Sequence, residues 1–157
     1  MSIKAGLAAL MLAGPAVAQD VADMAPRDGW VVIATDKPFD VLVDDTRAGA
    51  SAGGLAVVTM AGPTAAAANR RITIPGNRVI GLYNNDYAVR VLRLSTAAMI
   101  EAPMRAYVTE NADGTATLSY KQPSVILAPY VADAPGLADI GQELDAAFAK
   151  VADAATD

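Results

Sequence analysis

Met104-Arg105-Ala106-Tyr107-Val108-Thr109-Glu110, then Asn111-Ala112-Asp113-Gly114, then Thr115-Ala116-Thr117-Leu118-Ser119-Tyr120 is the stretch from which the fold is read. Two runs rich in β-branched and aromatic residues flank a short turn that contains glycine, which predicts a β-hairpin. Period-two alternation along its first strand puts Arg105 and Tyr107 on one side.

Working back from the hairpin, Pro103 closes a helix whose start is marked by Asn84-Asn85-Asp86 as capping side chains. Ala88, Val91, Leu92 and Ser95 keep helical spacing to about Met99. Before it, Arg78 to Tyr83 reads as a strand entered through the turn Pro75-Gly76-Asn77. Thr64 to Ala68 is a short alanine helix or a mobile loop. Leu55 to Met60 is a further strand, ended by Gly62-Pro63. Phe39, Val43, Thr46 and Ala50 make one face of a helix, with Asp36 and Asp40 at its start and Gly53-Gly54 as its stop. Trp30 to Thr35 reads as a strand buried on both faces. Gln19 to Asp28 has no clear period and reads as a flexible lead-in.

Beyond the hairpin, Val125-Ile126-Leu127 lies between Pro123 and Pro129 and reads as an edge strand or an extended arm. Leu137, Ile140, Leu144, Phe148 and Val151 then form the stripe of a closing helix, with Asp133 as its candidate cap and Pro135 in its first turn. The predicted order is β-α-β-β-α-β-β-α. It suits a single α+β domain over residues 29–155, a two-layer sandwich with helices on one face of a mainly antiparallel sheet.

The chain opens with the layout of a secretory signal peptide over residues 1–18. Lys4 ends a basic n-region, Ala5 to about Val17 is apolar, and Ala16-Val17-Ala18 precedes polar Gln19-Asp20. The apolar run is shorter than the ~18 to 20 residues that cross a bilayer, and Gly14-Pro15 breaks it. Removing 18 of the 157 residues leaves 139, and the loss of Lys4 moves the net charge from −5 to −6. After residue 18 no apolar run is long enough to span a bilayer. The expected location is the periplasm or the medium of a bacterium.

Composition excludes much chemistry. The chain has no histidine and no cysteine, so it has no Ser-His-Asp or Cys-His site, no His or Cys zinc site and no Cys-ligated iron–sulfur cluster. It also lacks phosphate-binding glycine patterns, and no cofactor is expected. An acidic balance with Arg70-Arg71 as the lone basic doublet argues against nucleic acid. Asp44-Asp45, adjacent on a helix, point to different sides and read as a solvated face. Asn84-Asn85-Asp86 falls short of the six to eight oxygens calcium takes, so a helix cap is the plainer reading. Met60, Met99 and Met104 are widely spaced among apolar residues and read as core filling, not as metal ligands.

The candidate site gathers Asp86, Arg90, Glu101 and Arg105, with Asn84, Tyr87, Tyr107 and Tyr120 near them in sequence. Asp86 and Arg90 are four apart and share a helical face. The plainer reading is a connected charged lattice tying the second helix to the hairpin, or rim charges at a dimer contact. The functional reading is a polar pocket in which Arg90 and Arg105 hold a small anionic or carbonyl-bearing ligand between tyrosine walls.

Taken in order, the Phe39-led helix ending in Gly53-Gly54-Leu55, the strand into Asn84-Asn85-Asp86-Tyr87-Ala88-Val89-Arg90, and Glu101-Ala102-Pro103-Met104-Arg105-Ala106-Tyr107-Val108-Thr109-Glu110 form a pattern. With Leu118-Ser119-Tyr120-Lys121-Gln122-Pro123 and Pro129-Tyr130 it resembles the domain of unknown function 302 family over roughly residues 30 to 152. Members are small two-layer α+β domains, some of them dimers, so the resemblance implies that fold and a homodimer, and no activity. The commoner pattern has Asn-Pro after the third strand and Leu-Pro before the hairpin. Here those places hold Asn84-Asn85-Asp86 and Ala102-Pro103.

Two functions follow from these readings. The first is a non-catalytic binding or interaction module of the cell envelope acting as a homodimer; the second is an enzyme using Tyr, Asp or Glu as acid and base. A homodimer also follows from the sheet, because helices on one face leave the other to be covered. Intact mass of protein recovered from the periplasm or medium should begin at Gln19; a chain still carrying residues 1–18 would remove the export argument.

Overall fold

The computed structural model describes residues 21–157, so the export segment and the first residues of the lead-in lie outside the described residues. Five strands form one antiparallel sheet in the order β1-β5-β4-β3-β2. They are β1 Trp30–Pro38, β2 Ala56–Ala61, β3 Asn77–Tyr83, β4 Met104–Glu110 and β5 Thr115–Lys121. Three longer helices, α1 Phe39–Gly49, α3 Asn85–Leu94 and α5 Leu137–Thr156, join two short ones, α2 Thr64–Asn69 and α4 Pro123–Leu127. The fold is thus the α+β sandwich that the sequence predicts.

The predicted hairpin is β4 and β5. Gly114 turns the chain at φ 85°, and Asp113 accepts hydrogen bonds from the backbone N–H and the hydroxyl of Thr115, at 2.9 and 2.6 Å. Register pairs Ala106 with Tyr120 and Val108 with Leu118. These four are buried on the helix side with Ile80 and Leu82 of β3. Across this layer lies α5, whose Leu137, Ile140, Leu144, Phe148 and Val151 are all buried, as their spacing predicts. The Phe148 ring meets Tyr120 at 5.3 Å. Helix α1 packs beside α5 and over β4 and β5, burying Leu42 and Val43.

Several expectations need correction. Val125-Ile126-Leu127 lies in helix α4, not in an edge strand: Pro123 sits at the helix start, where its missing N–H costs nothing, and the helix packs on α5. Strand β1 is not buried on both faces. Val31 and Ile33 turn toward the helices, whereas Trp30 and Val32 share the outer face with their partners Lys121 and Ser119. Helix α3 stops at Leu94 rather than near Met99, because Ser95 takes an extended conformation, and a 3-10 turn, Ala98–Glu101, follows. Asp36 lies within β1, and Pro38 is the N-cap of α1; likewise Gly136, not Asp133, is the N-cap of α5. The Thr64–Ala68 tract is helical and buries no residue.

Residues 21–28 have no regular secondary structure and run along the outer sheet face. Asp23 Oδ1 accepts the Ala112 N–H at 2.9 Å. Met24 and Pro26 line a groove with Ile74, Tyr107 and Thr109.

Phe148→Ala should lower stability by about 3–5 kcal/mol, since it empties the contact between α5 and β5. Urea unfolding checks this; a loss below about 1 kcal/mol would mean that α5 is not the principal cover of the sheet.

Candidate functional site

The eight residues singled out from the sequence fall into three places. At the start of α3, the Asn84 Oδ1 accepts the Asp86 and Tyr87 N–H groups at 2.8 and 3.2 Å, and its amide donates to the Gly54 carbonyl at 2.8 Å. Asn84 is therefore the predicted cap and also ties α3 to the end of the α1 segment. One turn on, Arg90 makes a two-pronged ion pair with Glu143 of α5, at 2.6 and 2.8 Å. The guanidinium also lies 5.3 Å from the Tyr87 ring.

The expected lattice of Asp86, Arg90, Glu101 and Arg105 does not form as one unit. Helix α3 lies against α5, so the face that carries Arg90 meets Glu143 and not the hairpin. The hydrogen bond from Arg90 holds Glu143 below its usual carboxylate range. Burial, followed by the Glu143 charge, pushes the Tyr87 hydroxyl up.

Tyr120 turns its ring into the core against Phe148 and is 5% exposed, and it also borders the outer cleft beside Lys121. Between α3 and the sheet, Tyr87, Val91, Met99 and Phe148 line a cavity of about 40 Å³. That is far below the roughly 300 Å³ at which ligand sites begin.

The outer face is different. Arg105 and Tyr107 stand together on it, as their alternation predicts, with Val79 and Asn77 beside them on β3 and Trp30 and Lys121 across β5 and β1. Arg105, Tyr107, Trp30, Val79, Lys121 and Ile126 line a cleft of about 410 Å³, and Glu101 stands at its margin. The Asn77 side-chain amide donates to the Tyr107 hydroxyl, fixing the ring. The Tyr130 hydroxyl donates to Glu101 Oε1 at 2.7 Å, and that bond to the carboxylate pushes the tyrosine up. Lys121 and Arg27 each lie over Trp30, at 5.5 and 5.2 Å.

The ion pairs found among the described residues use Lys37, Arg47 and Arg90. Arg27, Arg105 and Lys121 enter none of them, in a chain whose net charge is −5. The cleft therefore offers unpaired cations above mostly apolar walls. Among the described residues no group of three or more acidic, histidine or cysteine side chains is placed to hold a metal, and no helix is long and apolar enough to cross a membrane.

The sequence pattern described as "Domain of unknown function DUF302" matches residues 31–155. The chain belongs to the DUF302 family. No curated protein matches it in sequence. The crystal structure of an uncharacterized conserved DUF302 protein from Bacillus stearothermophilus superposes with a TM-score of 0.72 at 14% identity, covering 82% of this chain and 99% of that one. At that identity the likeness concerns the fold.

Trp30, Lys121 and Ile126 of this DUF302 domain were not singled out in sequence. Trp30 and Lys121 are 91 positions apart and meet through strand register, which no local period encodes.

The depressed Glu143 gives a pH prediction. A carboxylate held low in the fold contributes stability above its ordinary value of 4.5, and that contribution is lost as pH falls below it. Wild type should thus exceed Glu143→Gln in stability at neutral pH, and the gap should narrow as pH falls below the ordinary carboxylate value and shrink with salt. A gap that stays constant from neutral to acid pH would show that Arg90 gains nothing from the charge.

Proposed function

We propose that the protein is an exported, non-catalytic binding module of the bacterial envelope that acts as a homodimer and holds a small anionic ligand on the outer sheet face. The observation that carries this reading is the pair Arg105 and Lys121, cations without ion-pair partners in an apolar cleft of about 410 Å³. A volume of that order is typical of small-ligand sites. An anion there gains charge-assisted hydrogen bonds without displacing a protein carboxylate from either cation.

The dimer has support in strand β2. It is an edge strand with no charged residue, and its Val58 and Met60 are 49% and 37% exposed, so Met60 does not fill the core as its apolar flanks suggest. A free, uncharged edge invites a second strand, whereas edges kept apart carry lysine, proline or a bulge that breaks their line. Strand β2 has one such device, a break in its ladder between Val57 and Thr59, but no lysine and no proline. The outer face, by contrast, is partly covered by residues 21–28 of the same chain.

An acid–base enzyme finds less support. The carboxylates shifted by the fold, Asp113 and Glu143, are both pushed down by hydrogen bonds, and a catalytic acid at neutral pH requires the opposite shift.

Native mass spectrometry of the purified protein tests both parts. The expected result is a dimer that retains a small anion, with the anion lost in Arg105→Ala at unchanged melting temperature and the dimer lost in Val58→Lys. A ligand-free monomer over a hundredfold dilution would overturn the reading.

A further inference from the structure

The outer cleft continues around Trp30 into a second hollow of about 340 Å³, and the two share Trp30, Glu101, Arg105, Lys121 and Ile126. This shared group carries both signs of charge, yet its members make no ion pair with one another. Glu101 is held from behind. Its Oε1 accepts the Tyr130 hydroxyl at 2.7 Å, while among the described residues no hydrogen bond engages Oε2. A site built for a bare anion gains nothing from a carboxylate at its margin, because like charge opposes binding. A ligand that carries an ammonium beside its carboxylate uses each charged group that the two hollows share, Asp28 lining only the second.

Resting on the reading of this cleft as the binding site, we infer that it takes a zwitterionic α-amino acid with an apolar side chain. The carboxylate goes to Arg105 and Lys121, whose N–H groups supply charge-assisted donors. The ammonium goes to the free oxygen of Glu101. The side chain lies along Ile126, Val79 and the Tyr107 ring. The Trp30 ring has Arg27 and Lys121 over it at 5.2 and 5.5 Å, so its faces are engaged by the protein's own cations. The ligand's body therefore rests on Ile126, Val79 and the Tyr107 ring, which fits a branched aliphatic side chain.

Calorimetric titration of the full exported protein with three probes tests this. L-leucine carries both charges, 4-methylpentanoate lacks the ammonium, and 3-methylbutylamine lacks the carboxylate. Leucine should bind at least about tenfold more tightly than either analogue, a difference of about 1.4 kcal/mol. Arg105→Ala should weaken leucine and 4-methylpentanoate alike. Glu101→Gln keeps an oxygen to accept the Tyr130 hydroxyl, so the fold is retained; it should weaken leucine about tenfold and leave 4-methylpentanoate unchanged or tighter. If 4-methylpentanoate binds as tightly as leucine and Glu101→Gln changes neither, the amino-acid assignment falls and the anion site stands. If no probe carrying a carboxylate binds, or if Arg105→Ala leaves their binding unaltered, both fall.

Discussion

Strand β4 is paired on both sides, and its pleat sets what every neighbouring element must do. Met104, Ala106 and Val108 turn toward the helices and are at most 8% exposed, while Arg105 and Tyr107 turn outward between them. A slip of one residue would bury Arg105 and expose the core row, so the register with β3 and β5 is strongly specified. Each flanking strand continues the same two rows: Ile80 and Leu82 or Leu118 and Tyr120 inside, Val79 or Ser119 outside. The apolar row then requires a cover, and the stripe of α5 supplies it. The outer row is left to the charged and aromatic side chains that form the cleft.

How much of this was legible follows from the range over which each feature is encoded. The hairpin and α5 were readable because each carries its own period over seven or more residues. Val125-Ile126-Leu127 is too short to show a period, and its β-branched composition points toward a strand; the packing of α4 on α5 decides otherwise. Arg105 and Tyr107 were placed correctly on one face by alternation. The partner of Arg90 was not found, because Glu143 lies 53 positions away and meets it only through the packing of α3 on α5. Tyr120 borders the cleft, but the direction of its ring is not encoded locally. Its neighbour Lys121 faces outward, and the register with Ala106 turns Tyr120 itself inward.

Three of the eleven cations among the described residues are held in ion pairs. Lys37, Arg47 and Arg90 bind Asp45, Asp44 and Glu143 at 2.9, 2.9 and 2.6 Å. All three pairs are at least partly exposed, and such pairs do little more than orient surfaces. Arg27, Arg105 and Lys121 gather about the chain's one tryptophan instead. Arg70, Arg71, Arg78, Arg93 and Lys150 also enter no ion pair, and what sets Arg105 and Lys121 apart is that they line one cleft together, where their fields add.

Sheet order keeps assembly and binding apart on the proposed reading. The cleft draws on β1, β5, β4 and β3, and β2 closes the far edge of the sheet. Two copies joined along β2 would continue the sheet sideways, edge to edge, and leave both clefts on the open face. The other edge is poorly suited to the same role. Both edge strands break their ladder once, but β1 also ends in a proline that has no N–H to donate and carries Asp36 and Lys37. Its start is occupied by Trp30 and the cations around it. One edge is thus blunted by the chemistry that the cleft requires, and the uncharged β2 edge is the one left free to pair.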